Sequence, residues 1–326
     1  MTMVAQTPPD PVHSERLPAR APTLRRGGIG RRERAAWGFL APALIAIAIF
    51  FVIPVVSALL LSLTDFDIYA LADLANLRFV GLRNYERLLA NPLFWTAMRN
   101  TVWFAVLGVP LTIAAALGAA VILNARTVRW RPIWRVMLFA PYVTTLVATA
   151  VVWRYLLHTR YGVINWGLDS IGLPAVDWLG QPESSIPAIL MFVVWKTFGY
   201  NMLIFLAVLQ TVPDELYEAA RIDGAGRWKQ FQHVTLPAIA PTVLLVSIIT
   251  VAAFFQLFAE PYVMTQGGPA QSTVTVLYFM YEEGFKWWNL GSASAVAFIL
   301  FLCILAVTLV QLWVSRRLAG RVTAEG

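Results

Sequence analysis

Charge is scarce in this chain. Only 13% of its 326 residues are Asp, Glu, Lys or Arg, while 59% are hydrophobic, and the mean hydropathy is +0.66. A water-soluble domain could not keep so much apolar surface from water, which places the chain in a membrane. Cysteine is nearly absent. Cys303 stands alone in an apolar run, so no intramolecular disulfide can form, and the three distant His residues make no metal-ligand pattern with it. Lysine is rare as well, three of 25 basic residues. The three follow Trp195, Trp228 and Phe285. A Walker-type phosphate loop needs glycine directly before its lysine, so the chain carries no such loop. HExxH and GxSxG are also missing, which removes the zincin and α/β-hydrolase chemistries they serve. No enzyme activity is expected. The net charge of +7, in a membrane chain, is read as loops facing anionic headgroups and not as a nucleic-acid surface.

What is present is a series of long apolar runs. A helix needs about 20 such residues to cross the hydrocarbon core. Six stretches qualify, near Trp37 to Leu63, Thr101 to Asn124, Val136 to Leu157, Ile186 to Leu209, Pro237 to Ala259 and Gly291 to Val314. The first run is too long for a signal peptide and follows a long polar tail. Residues 1–35, rich in Pro and Arg, are expected to be a disordered basic cytoplasmic tail. Residues 36–318 form the six-helix domain and 319–326 a second tail. Arg and Lys set the orientation. Seventeen of the 25 lie in the two tails and in the loops after spans two and four, which predicts both termini inside. The Trp residues of NPLFW (Asn91 to Trp95) and FKWWN (Phe285 to Asn289) read as an interfacial belt. Pro54, Pro110, Pro141 and Pro241 mark kinks.

One segment breaks the apolar pattern. EAARIDGAGRWKQFQHVTLP, Glu218 to Pro237, is dense in charge and lies in the loop before span five. TVPDELYEAARIDGA reads as a short helix with Thr211 as cap, acids in its first turn and Gly224 at its end. A second short helix near Gly226 to His233 leads to Leu236-Pro237. Leu216, Ala219, Ala220 and Asp223 share one face, small enough for another protein to approach closely. A lipid-seeking helix would be rich in Lys and Arg on its polar face, whereas here the carboxylates lead.

Glu218-Ala219-Ala220, three residues, Gly224, nine residues, Val234-x-Leu236-Pro237 resembles the EAA motif of binding-protein-dependent ABC importer permeases. The departure from that pattern is Val for Ile. LFAPY (Leu138 to Tyr142), VWKTFGYNM (Val194 to Met202) and YVMTQGGP (Tyr262 to Pro269) are similar to the carbohydrate branch, which includes maltose and glycerol-3-phosphate permeases. The likeness covers roughly residues 36–318. It implies an all-α integral membrane protein of type I importer architecture in a bacterial inner membrane. It also implies that segment 212–237 is the coupling segment to a separate ATPase, through Glu218, Ala219, Ala220, Asp223, Gly224, Leu236 and Pro237. Glu218 would make a charged contact and Gly224 would permit the turn. The implied partners are a second homologous permease, an ATPase dimer that binds the ATP and Mg, an extracytoplasmic binding protein and the sugar. No cofactor is expected in this chain.

A charge within a span is expensive and by default marks a pathway. Lys196, near the middle of span four, is therefore a candidate for substrate contact or gating, or else pairs inside the bundle with a carbonyl or carboxylate. Tyr200 lies one turn on, beside Gly199 and Asn201. Gln256 and Glu260 are read as an i, i+4 pair at the outer end of span five. By resemblance Tyr142, Gly199, Tyr200 and Gln256 match sugar-holding positions. TQGGP (Thr265 to Pro269) reads as an outer turn. The competing readings are a polyol or glycerol-3-phosphate permease, for which one lysine is thin support, and an ion-coupled transporter, which would show paired acids near the midplane.

Overall fold

The computed structural model describes residues 29–125 and 127–322. Residues 1–28, Arg126 and residues 323–326 lie outside that set, and with them most of the predicted N-terminal tail and the end of the C-terminal one. The chain divides into two compact units, Met1–Pro54 and Val55–Gly326. The first holds α1 (Ile29–Ile47) and a π-helical turn, Ala48–Val52, and the boundary falls within the next helix, α2 (Ile53–Ser62). The chain is thus helical over residues 29–35, where the composition had pointed to disorder. The run Ala36–Ser62 is long and apolar enough to cross a membrane.

In the second unit, short helices α3 (Ile68–Ala72) and α4 (Arg83–Ala90) lead to the long α5 (Pro92–Asn124). Then come α6 (Arg131–Val143), α7 (Leu146–Leu156), α8 (Val163–Ser170) and α9 (Pro182–Leu209). The loop helix α10 (Asp214–Ile222) precedes α11 (Arg227–Gln230) and α12 (Leu236–Phe255). Short α13 (Ala259–Met264) and α14 (Val276–Tyr281) lead to α15 (Leu290–Val322). Among the described residues the β-structure is one isolated bridge, Thr64 with Phe79.

Two expectations about the spans need correction. The third is not one helix. α6 and α7 meet at 99° across Thr144 and Thr145, both in extended conformation. At 1.5 Å per residue, their 13 and 11 residues reach only about 20 and 16 Å, short of a core about 30 Å thick. The fifth span begins earlier than Pro237. α11, a π turn at Phe231–Thr235 and α12 form one 29-residue helical run from Arg227 to Phe255. Pro237 has no N–H to give, and the π turn, in which the Leu236 N–H bonds the Phe231 carbonyl, takes up the irregularity just before it. Pro110 and Pro241 leave their helices unbroken.

Between helices in lipid there is no hydrophobic drive, so close packing and hydrogen bonds hold them. α5, α9 and α12 share the inner core, where Ala116 and Ala120 let Met202, Phe205, Ile239 and Val246 close in. Gly108 of α5 lies so near the Phe254 ring that no side chain fits there. Cross-helix bonds add to this. Asn201 Nδ2 donates to Thr250 Oγ1 (3.2 Å), and Gln311 Nε2 to Ser247 Oγ (2.8 Å). Trp95 and Trp287 are more than half exposed, as an interfacial belt requires.

TQGGP forms a turn, as its sequence suggests, with the Gly268 N–H on the Thr265 carbonyl (3.0 Å), and the segment that follows it is interior. Thr273 and Thr275, just after it, are fully buried. Asn100 Nδ2 of α5 donates to the carbonyls of Gln271 (2.9 Å) and Val274 (3.0 Å), and Thr101 Oγ1 accepts the Val276 N–H. Replacing Asn100 with Leu strands two carbonyls and is expected to cost about 2 kcal/mol. Thermal unfolding of the purified protein in detergent checks this as a lower melting temperature.

Candidate functional site

The loop helix α10 is built as expected at its end and differently at its start. Gly224 has φ +75°, a left-handed conformation that favours glycine. The Gly224 N–H bonds the Arg221 carbonyl (3.0 Å) and the Ala225 N–H bonds the Ala220 carbonyl (2.8 Å), the paired bonds of a Schellman ending. Thr211 does not cap the helix. Its hydroxyl donates back to the Val208 carbonyl (2.8 Å), and the cap position is Pro213, with no side-chain bond. Asp214 and Glu215 in the first turn favour the helix N-terminus by charge.

The predicted contact face divides. Leu216, Glu218, Ala219 and Asp223 are exposed, while Ala220 and Tyr217 turn toward the loop's own second half. The Tyr217 hydroxyl meets Thr235 Oγ1 at 3.1 Å. Ile222, which the sequence pattern did not single out, is 86% exposed, and Trp228 is 68% exposed and stacked on Phe231. Glu218 faces Arg221 at 3.9 Å, both well exposed, a pairing worth little. Leu236 and Pro237 are exposed at the foot of α12. A cavity of about 890 Å³ opens beside α10, lined by Asn124, Arg131, Gln210, Asp214, Tyr217 and Arg227 among others. The loops after spans two and four therefore meet on one side, the side assigned to the cytoplasm.

The second cluster forms where α6 breaks. Lys196 of α9 is only 7% exposed. Its Nζ donates to the carbonyls of Pro141 (2.9 Å) and Thr144 (2.8 Å), with a longer contact to Thr144 Oγ1 (3.4 Å). The last carbonyls of a helix lack partners and carry partial negative charge. The ammonium group sits on that end. Lys196 thus pairs inside the bundle with backbone carbonyls. Gly199 is turned to α6, where any side chain would collide with the Leu138 carbonyl. Tyr200 stacks on Tyr142, with centroids 4.7 Å apart and planes at 15°. Both rings keep exposed surface, 43% for Tyr142 and 36% for Tyr200.

The remaining predicted residues separate. Asn201 is buried and tied to Thr250. Gln256 and Glu260 do not share a helix face. α12 ends at Phe255, Gln256 is its exposed C-cap, and α13 starts afresh at Ala259. Gln256 itself, with φ −101° and ψ 19°, and Phe258, with φ −137° and ψ −57°, are both outside helical geometry. Sequence reasoning did not name Pro141 and Thr144 as the acceptors of Lys196, because it scored side chains and these residues act through carbonyls. Pro141, read as a kink, was the available signal.

The chain matches the family described as "Binding-protein-dependent transport system inner membrane component" over residues 32–320. It is 34% identical over 285 residues to the lactose transport system permease protein LacF of Rhizobium radiobacter, covering 86% of this chain and 93% of that protein. It is 33% identical over 289 residues to the trehalose/maltose transport system permease protein MalF of Thermococcus litoralis, covering 88% and 95%. A solved bacterial alginate ABC transporter, in complex with an alginate pentasaccharide-bound periplasmic protein, shares the fold. Its TM-score is 0.75 at 23% identity, over 90% of this chain and 98% of that one.

Two glycines respond differently to a methyl group. Gly199→Ala drives Cβ into the Leu138 carbonyl and is expected to pry α9 from α6. Gly224→Ala meets open space and pays only for its backbone conformation, about 1 kcal/mol. Melting temperatures in detergent should fall clearly for the first and slightly for the second.

Proposed function

The chain belongs to the family of binding-protein-dependent transport system inner membrane components, and on that footing we propose that it forms half of the translocation pathway of an ATP-driven sugar importer. Its other half is a second, homologous permease. An ATPase dimer that binds ATP and Mg drives it from the cytoplasmic side, and an extracytoplasmic binding protein delivers the cargo. The observation that carries this reading is α10. An exposed helix with Leu216, Ala219 and Ile222 on its open surface and Glu218 among them serves no core of its own chain. It has the size and chemistry of a plug for a cleft in another subunit. A chain without a phosphate loop needs such a contact, since ATP can shift its equilibrium only through interactions that differ between states.

The cargo class follows from two supports. The relatives above are named for lactose, trehalose and maltose, and the stacked, half-open Tyr142–Tyr200 pair offers the aromatic face that sugar rings favour. A phosphorylated cargo such as glycerol-3-phosphate is disfavoured. The lysine that would meet it already donates to Pro141 and Thr144.

Reconstitution with the cognate permease, ATPase and binding protein tests the whole. ATP hydrolysis should rise with at least one of lactose, maltose and trehalose supplied with the binding protein. Glu218→Ala should weaken that response several-fold, and Ile222→Asp should abolish it. No stimulation by any sugar, with uptake following an imposed proton or sodium gradient instead, would sink the assignment.

A further inference from the structure

We propose that Lys196 is a positioning residue for the sugar, acting through Tyr142 and not by touching the cargo; this rests on the reading of the tyrosine pair as a sugar-facing surface. The observations are geometric. Nζ of Lys196 holds the carbonyls of Pro141 and Thr144, the residues on either side of the Tyr142–Val143 pair. Tyr200, one turn further along α9, holds the Tyr142 ring from the side. Gly199, between them, admits the backbone of α6 at Leu138. Three consecutive contacts on one face of α9 thus grip the last turn of α6, and the gripped residue is Tyr142.

The grip matters because the helical hydrogen-bond ladder is interrupted at this point. α6 ends at Val143, the chain turns through 99°, and α7 starts at Leu146. Carbonyls at such a break must find donors when no water is at hand. Thr144 supplies one, donating its hydroxyl to Pro141 (2.6 Å). Lys196 supplies two more bonds, to the carbonyls of Pro141 and Thr144, and brings its charge to them. Remove its ammonium and the last turn of α6 loses its anchor. Tyr142, whose ring stacks on Tyr200 and lies tilted beside Phe139, then loses its place. A buried lysine whose ammonium donates to two carbonyls, with the Thr144 hydroxyl as its third neighbour, is committed to the end of α6, which is why its effect passes through the ring.

A double-mutant cycle separates this from a merely structural lysine. Wild type, Lys196→Met, Tyr142→Ala and the double variant are assembled with the partner subunits, and assembly is checked by size-exclusion chromatography. Uptake of labelled lactose, maltose and trehalose per ATP hydrolysed is then measured. Lys196→Met and Tyr142→Ala should each lower this ratio about tenfold for the transported sugar, and the double variant should be no worse than Tyr142→Ala alone. Lys196→Gln, which keeps donors without charge, should lie between, and it carries the cycle if the Met variant fails to assemble. A drop for Tyr142→Ala with no effect of Lys196 changes, or with effects that multiply, overturns the positioning role and leaves the tyrosine surface standing. No effect of Tyr142→Ala on any sugar overturns the surface and the positioning role together.

Discussion

An ammonium group seated on the end of a broken helix organises the centre of this protein. Inside a bilayer every backbone carbonyl must be answered by a donor within the protein. A span that bends through 99° exposes several at once. Lys196 answers two of them from α9, the helix that also packs against α5 and α12. What surrounds it is fitted to that contact. Gly199 is small because α6 comes so near, and Tyr200 lies flat because Tyr142 is held in front of it. A charge that is expensive in the membrane thus becomes tolerable by stabilising backbone that would otherwise be costly too.

The same demand governs the outer end. Asn100, Thr101 and Ser185 reach from α5 and α9 into the segment after TQGGP, where Thr273 and Thr275 are buried. That segment is irregular, yet its polar groups are paired, and so it can be interior. The inner end has the opposite character. α10 touches the body through Tyr217 and leaves Leu216, Ile222 and Trp228 open. One end is closed by the chain's own side chains, while the other leaves apolar surface exposed.

The number and order of the apolar runs were legible in the sequence, since length and hydropathy are local properties. So was the end of α10, because a glycine followed by a restart has few other uses. The break in the third span was not. Val136 to Leu157 is mostly apolar, and hydropathy alone does not tell a straight helix from two short ones joined at Thr144 and Thr145. Lys196 was singled out correctly as unusual, but its partners are carbonyls, which every residue has. Gln256 and Glu260 looked like neighbours because their spacing suits a helix, and the chain leaves the helix between them. The site residues Tyr142, Gly199, Lys196 and Tyr200 did come together, although one of them is packing and another is an anchor.

The uninterrupted helical run from Arg227 to Phe255 has a mechanical meaning. Its 29 residues make a rod about 44 Å long, and its two ends belong to different worlds. At one end are Arg227 and Trp228, beside α10. At the other is Gln256, where the chain turns toward Glu260 and so toward Lys196. The chain has no flexible joint along that line, only the π turn at Phe231–Thr235 near the foot. A rigid run of that length ties its two ends together, so a tilt of the rod displaces its head in proportion to the length between them.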